Sequence, residues 1–134
     1  MPFPNSLLHR STWRFLGLSL ATTIFSLGTW SLLDPLPPAA LLGVASTLPE
    51  SNIVLSKAMI FLGSRNLCIA ASLFWLHYLG RMKEMGVVLC CATVIYVADV
   101  CVAVQGRGWD GVVAGLVGSA LAATFVGWGL VQGQ

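Results

Sequence analysis

Residues 15–33, 58–79, 87–105 and 111–131 form four stretches in which charged side chains are nearly absent. Each is about 19 to 22 residues long, enough for a helix to cross ~30 Å of hydrocarbon. That pattern constrains the fold more than any other feature of the chain. A soluble domain of 134 residues would have to cover its apolar residues, 57% of the total, with a charged fraction of only 9%. An average soluble domain has about 25% charged residues. Lipid is therefore the better solvent, and the expected fold is all-α: an integral membrane four-helix bundle with short hairpin turns and one longer loop between the first two spans. Residues 1–134 read as one such domain. The bilayer is the first expected partner.

The net charge of +2 comes without a basic run, which argues against nucleic acid as a partner. Lys and Arg fall instead at the edges of the apolar stretches, as bilayer anchors do. The first stretch follows positive charge, as a secretory signal would. Its apolar run is longer than a signal's and no A-x-A site follows, so it reads as a retained anchor. All six prolines lie at or before Pro49, outside the spans. "DPLPPAALLGVASTLPESN" is the one long connection, with a stiff Pro37-Pro38 entry and an apolar middle suited to the membrane surface, as a short helix. "GRMKEMG" and "GRGWDG" read as hairpin turns between antiparallel helices. Arg10, Arg14, Arg81 and Lys83 share one side, against Lys57 and Arg107 on the other. The positive-inside rule then places both termini in the cytosol.

Two formally charged residues interrupt the spans. Arg65 lies 15 residues before Gly80, and Asp99 lies 13 residues after Gly86. At 1.5 Å per residue each stands roughly 20 Å from the turn that joins their spans. Opposite charges at one depth on antiparallel neighbours predict an ion pair. Alone, each would cost about 2.5 to 3.5 kcal/mol at a helix centre. Tyr96, one turn before Asp99, shares its face and is placed to donate to the carboxylate. Asn66, turned about 100° from Arg65 along the helix, is expected to face a different helix. Arg65, Asp99, Tyr96 and Asn66 are the candidate catalytic residues. The pair reads either as a clasp that fixes helix register or as a polar site for substrate, proton or headgroup, since intramembrane ionisable residues are so often functional.

The remaining polar features carry less. Ser19, Thr22, Thr23 and Ser26 form a hydroxyl stripe on the first span, expected to pack on a neighbouring helix. Gly111, Gly115 and Ser119 repeat every four residues on the last span, a surface for close helix approach within the chain or between copies in a homo-oligomer. The four cysteines lie in apolar stretches with no C-x-x-C spacing and read as small packing residues. His9, His77 and Glu84 gather at one mouth. No phosphate loop, His-rich metal pattern or Ser/His/Asp order appears, so no cofactor and no metal is implied.

"LGSRNL" opening the second span, the basic "GRMKEMG" turn, and Asp99 before a Gly-rich turn together resemble a family of small four-helix membrane proteins of unknown function, broadly similar to DoxX-like proteins. Members often read G-x-R-D at the start of the second span, with an Asp in the third. Gly63, Arg65 and Asp99 match, and Asn66 carries an amide where the pattern has a carboxylate. Fungal members of such families are often encoded beside enzymes of secondary metabolism. The resemblance therefore implies work at the endoplasmic reticulum on a lipophilic intermediate, as a cofactor-free isomerase or cyclase or as a non-enzymatic scaffold for biosynthetic enzymes.

Overall fold

The computed structural model describes residues 8–44 and 49–132. Five helices follow in chain order: α1 (Arg10–Leu33), α2 (Leu36–Leu41), α3 (Pro49–Tyr78), α4 (Met82–Arg107) and α5 (Gly111–Gln132). α1, α3, α4 and α5 are each long and apolar enough to cross a membrane. The protein is an integral, multi-pass, all-α membrane bundle. Its outward faces suit lipid: Phe15, Phe61, Trp75, Val94 and Leu121 are each more than 60% exposed.

The helices outrun the apolar stretches. α1 begins five residues early, capped by the His9 ring nitrogen, which accepts from the Ser11 amide. It stops where Asp34, restrained by the proline that follows, turns extended. α2 is the short helix anticipated in the long connection. Its prolines occupy the first turn, where no backbone N–H is needed. α3 likewise opens on a proline. "GRMKEMG" is largely helix rather than turn: α4 starts at Met82, and the reversal is confined to residues 79–81 around Gly80, whose φ of 71° suits glycine. Asp110 starts α5, its carboxylate accepting from the Val113 amide at 2.9 Å.

Two helix pairs build the bundle. α1 packs along α3 and α4 along α5, while α3 and α4 share only a shorter seam despite their tight turn. Glycines face each other at both crossings. A Cβ added at Gly63 would stand 2.8 Å from the Gly28 carbonyl oxygen, and one at Gly86 would stand 2.5 Å from that of Gly127. No larger residue allows such backbone approach. Thr93 and Thr124 add a hydroxyl–hydroxyl bond of 2.8 Å between α4 and α5.

The expected packing faces are corrected at three points. The stripe of Ser19, Thr22, Thr23 and Ser26 is exposed rather than packed on a helix, with Thr23 bordering an interior opening, and each hydroxyl donates to a carbonyl one turn back in α1. Satisfied within its own helix, it needs no partner helix. α1 packs instead through Trp13, Gly17, Ala21, Ile24, Gly28 and Ser31. Gly111, Gly115 and Gly118 would each accept a Cβ without meeting an atom within 4 Å, so that face of α5 is open rather than packed inside the chain. Cys68, Cys91 and Cys101 are exposed, and only Cys90 packs inward, against Gly127.

Large side chains concentrate at one end. Trp13, Leu73, Met82, Met85, Leu89 and Leu130 fill the bundle near the α3–α4 turn and the start of α1. The Trp13 ring lies flat against Gly129 and 5.4 Å from the Phe125 ring. Toward α2 the interior opens.

Candidate functional site

The open half holds two adjoining chambers. The inner one, of about 130 Å³, is walled by Leu20, Thr23 and Ile24 of α1, Tyr96 of α4 and Ala123 of α5. The outer one, of about 120 Å³, lies under α2, whose Pro38 and Leu41 roof it, with Trp30, Ser31 and Met59 on its sides. Leu27, Asn66, Asp99 and Leu116 border both chambers. These four residues form the waist between the two chambers, which together make a mainly apolar cleft, and two of them are polar.

Asp99 is fixed there by Arg65. Arg65 Nη2 donates to both carboxylate oxygens, at 2.9 and 3.2 Å. Because α4 starts at Met82, Asp99 stands about 26 Å along its helix and Arg65 about 20 Å back along α3. The long arginine side chain spans the remaining offset. A single nitrogen makes the contact, so it is not a two-nitrogen fork, and Arg65 Nε is buried without a partner. Arg65 lines neither chamber. It meets the Asp99 carboxylate from outside the cleft lining.

Asn66 is 8% exposed and its Oδ1 has no hydrogen bond among the described residues. Rather than turning to a separate interface, it enters the same cleft as Asp99. Tyr96 shares the face of Asp99 as its spacing indicates, yet its hydroxyl is buried without a partner and does not donate to the carboxylate. The structure thus gathers all four candidates, with Asp99, Asn66 and Tyr96 on the cleft wall and Arg65 behind it. A buried amide oxygen and a buried phenol without partners are costly in an apolar interior. Both costs fall away if a polar group occupies the waist.

Sequence reasoning missed the part played by α2. Arg107 donates from Nη1 to the Ala40 carbonyl at 3.0 Å and from Nε to Asp110 at 2.7 Å, which ties the roof helix to the α4–α5 turn. Gly43 and Gly106 meet there, where a Cβ on Gly106 would lie 2.6 Å from the Gly43 carbonyl oxygen. The only available signal was Arg107 set beside an acidic residue in a glycine-rich turn. The Val113 N–H and then Arg107 hold the Asp110 carboxyl below its ordinary value. His77 lies near the far end of α3, away from this cleft, and among the described residues no three of His, Cys, Asp and Glu cluster to hold a metal.

The pattern of one family, described as Domain of unknown function (DUF4267), matches residues 21–131, from within α1 through nearly all of α5 and every residue of the cleft except Leu20. The chain belongs to the DUF4267 family. No curated protein and no solved structure matches it. The family match supports an uncharacterised membrane family; it gives no support to the DoxX-like kinship or to the fungal association.

Proposed function

We propose that the protein is an accessory factor in the biosynthesis of a lipophilic secondary metabolite, acting as a cofactor-free isomerase or cyclase on an intermediate held in the α2-roofed cleft. The observation that carries this reading is the cleft wall: Asp99 and Asn66 stand at the waist and Tyr96 beside them on the inner chamber, and Asn66 and Tyr96 carry buried polar atoms left unpaired among the described residues. Such a wall, apolar with a few convergent polar groups, is the usual form of a small-molecule site. Asp99 is the proton acceptor, Tyr96 and Asn66 hydrogen-bond the substrate's polar atom, and Arg65 balances the charge of Asp99. Proton transfer by these groups needs no redox partner. The endoplasmic reticulum suits a lipophilic intermediate, and the four-to-two division of Lys and Arg favours cytosolic termini.

Deleting the gene and profiling lipophilic metabolites tests the proposal. One intermediate should accumulate, and complementation with Tyr96→Phe should clear it only in part. Full complementation by a chain carrying both Arg65→Leu and Asp99→Leu would overturn it.

A second reading, a non-enzymatic scaffold for biosynthetic enzymes, is favoured by the open small-residue face of α5 at Gly111, Gly115 and Ser119. Under that reading Gly115→Leu abolishes complementation and the cleft substitutions do not.

A further inference from the structure

The shape and charge of the cleft narrow what it takes. We infer that its substrate is an uncharged, enolisable ketone whose carbonyl lies part-way along the molecule, with one apolar arm in each chamber. The inference rests on the proposed function and specifies its substrate class.

Three observations lead to it. First, the polar residues shared by both chambers, Asn66 and Asp99, stand at the waist and not at a closed end. A molecule filling both chambers therefore presents its polar atom mid-length. Second, Asp99 is the one residue of either lining with a formal charge, and Arg65 already neutralises it at 2.9 Å. A carboxylate or phosphate would face Asp99 with no cation left to meet it, and an amine would add an unbalanced positive charge in apolar surroundings. Third, the groups without partners suit a carbonyl oxygen. The Tyr96 hydroxyl, on the inner chamber's wall one turn from Asp99, is a donor, and the Asn66 amide, its oxygen unbonded among the described residues, can turn its NH2 to the same acceptor.

The chemistry follows from that placement. Asp99 takes a proton from the carbon next to the carbonyl, and the C–H electron pair becomes the C=C bond of the enolate. The carbonyl π pair moves onto oxygen, where Tyr96 and Asn66 donate to it. Asp99 then returns a proton to the same carbon, giving exchange, or to the far end of a conjugated system, giving a shifted double bond. Protons and electrons balance without a cofactor.

The test uses the full chain in lipid nanodiscs with tridecan-7-one, 13C-labelled at the carbonyl, in deuterated buffer. Infrared spectroscopy reads hydrogen bonding to the carbonyl, and mass spectrometry reads deuterium entering the flanking carbons. The expected result is a lowered carbonyl stretch and deuterium uptake above protein-free nanodiscs. Tyr96→Phe, which removes a hydroxyl without a partner among the described residues, should slow uptake about a hundredfold. Asp99→Asn should abolish uptake, and tridecanoate should not compete with the ketone. Shifted stretch without uptake overturns the enolisation while leaving a lipophile site. Displacement by tridecanoate, or equal uptake with tridecan-2-one, overturns the substrate class alone. Neither shift nor uptake overturns both the inference and the proposed function beneath it.

Discussion

Replacing Arg65 and Asp99 by leucine, singly and together, separates a coupled pair from two independent polar residues. Arg65→Leu strands a carboxylate and Asp99→Leu strands a guanidinium. Breaking a fully buried pair costs about 3 to 5 kcal/mol, and a lone charge at a helix centre costs about 2.5 to 3.5 kcal/mol on insertion scales. The side chains here are 28% and 22% exposed, and a single nitrogen makes the contact. The lower part of both ranges applies, about 3 kcal/mol for each single change. The double variant strands nothing and loses only an interhelical hydrogen bond, about 1 kcal/mol in a membrane. Unfolding in mixed micelles, followed by helical circular dichroism, gives the three values. A double variant near the additive value of ~6 kcal/mol would refute the coupling.

Gly63→Val should lower stability by about 1 to 3 kcal/mol, since its Cβ meets the Gly28 carbonyl oxygen at 2.8 Å and α1 must move off α3; an unchanged unfolding midpoint would contradict the glycine crossing. Gly115→Leu should leave monomer unfolding within about 0.5 kcal/mol of wild type, because nothing lies within 4 Å of the added Cβ, and any larger loss measured in the same micelles would show that α5 is packed differently. Arg107→Ala should free α2, read as faster thiol labelling of a Leu41→Cys reporter than in the Arg107 parent. Relative to a free thiol at the same pH, whose thiolate fraction sets the intrinsic rate, the same reporter should label faster in acid. The Asp110 carboxyl is held low first by Val113 and then by Arg107, so its contribution is complete above the unfolded value and lost as pH falls through the folded one; Asp110→Asn should flatten that dependence.

Number and order of the spans were legible because lipid demands long apolar helices, and apolar length is a one-dimensional signal. Boundaries were not, because apolar windows mark hydrocarbon and not hydrogen bonding. "MKEM" and "PESN" leave the apolar zone while remaining helical, and so α4 begins at Met82 and α3 at Pro49. The Arg65–Asp99 contact was legible from depth alone, as two opposite charges at one level. Rotation about each helix axis was hidden. In a soluble bundle a polar face would mark the outside, but here the outward face is as apolar as the inner one, as Phe61 and Leu121 illustrate. That loss of contrast is why the sequence points Asn66 to a different helix, the α1 hydroxyls to a packing face and Gly115 to a helix contact, none of which the structure has within the chain.

The asymmetry of the bundle bears on whether the ion pair is a clasp. A clasp works best where packing excludes everything else, because a desolvated pair is held by geometry alone. This chain has such a place, around Trp13, Met85, Leu89 and Leu130, and the pair is not in it. It stands instead beside the cleft, with Arg65 withdrawn from the lining and Asp99 presented to it. The paired glycines draw α1 against α3 and α4 against α5, so the cleft opens between two tight halves rather than within either one. Asn66 and Tyr96 then bring buried polar atoms to the same space without a bond of their own. Helix register alone requires neither of these residues at the cleft wall, whereas a bound polar group would use both.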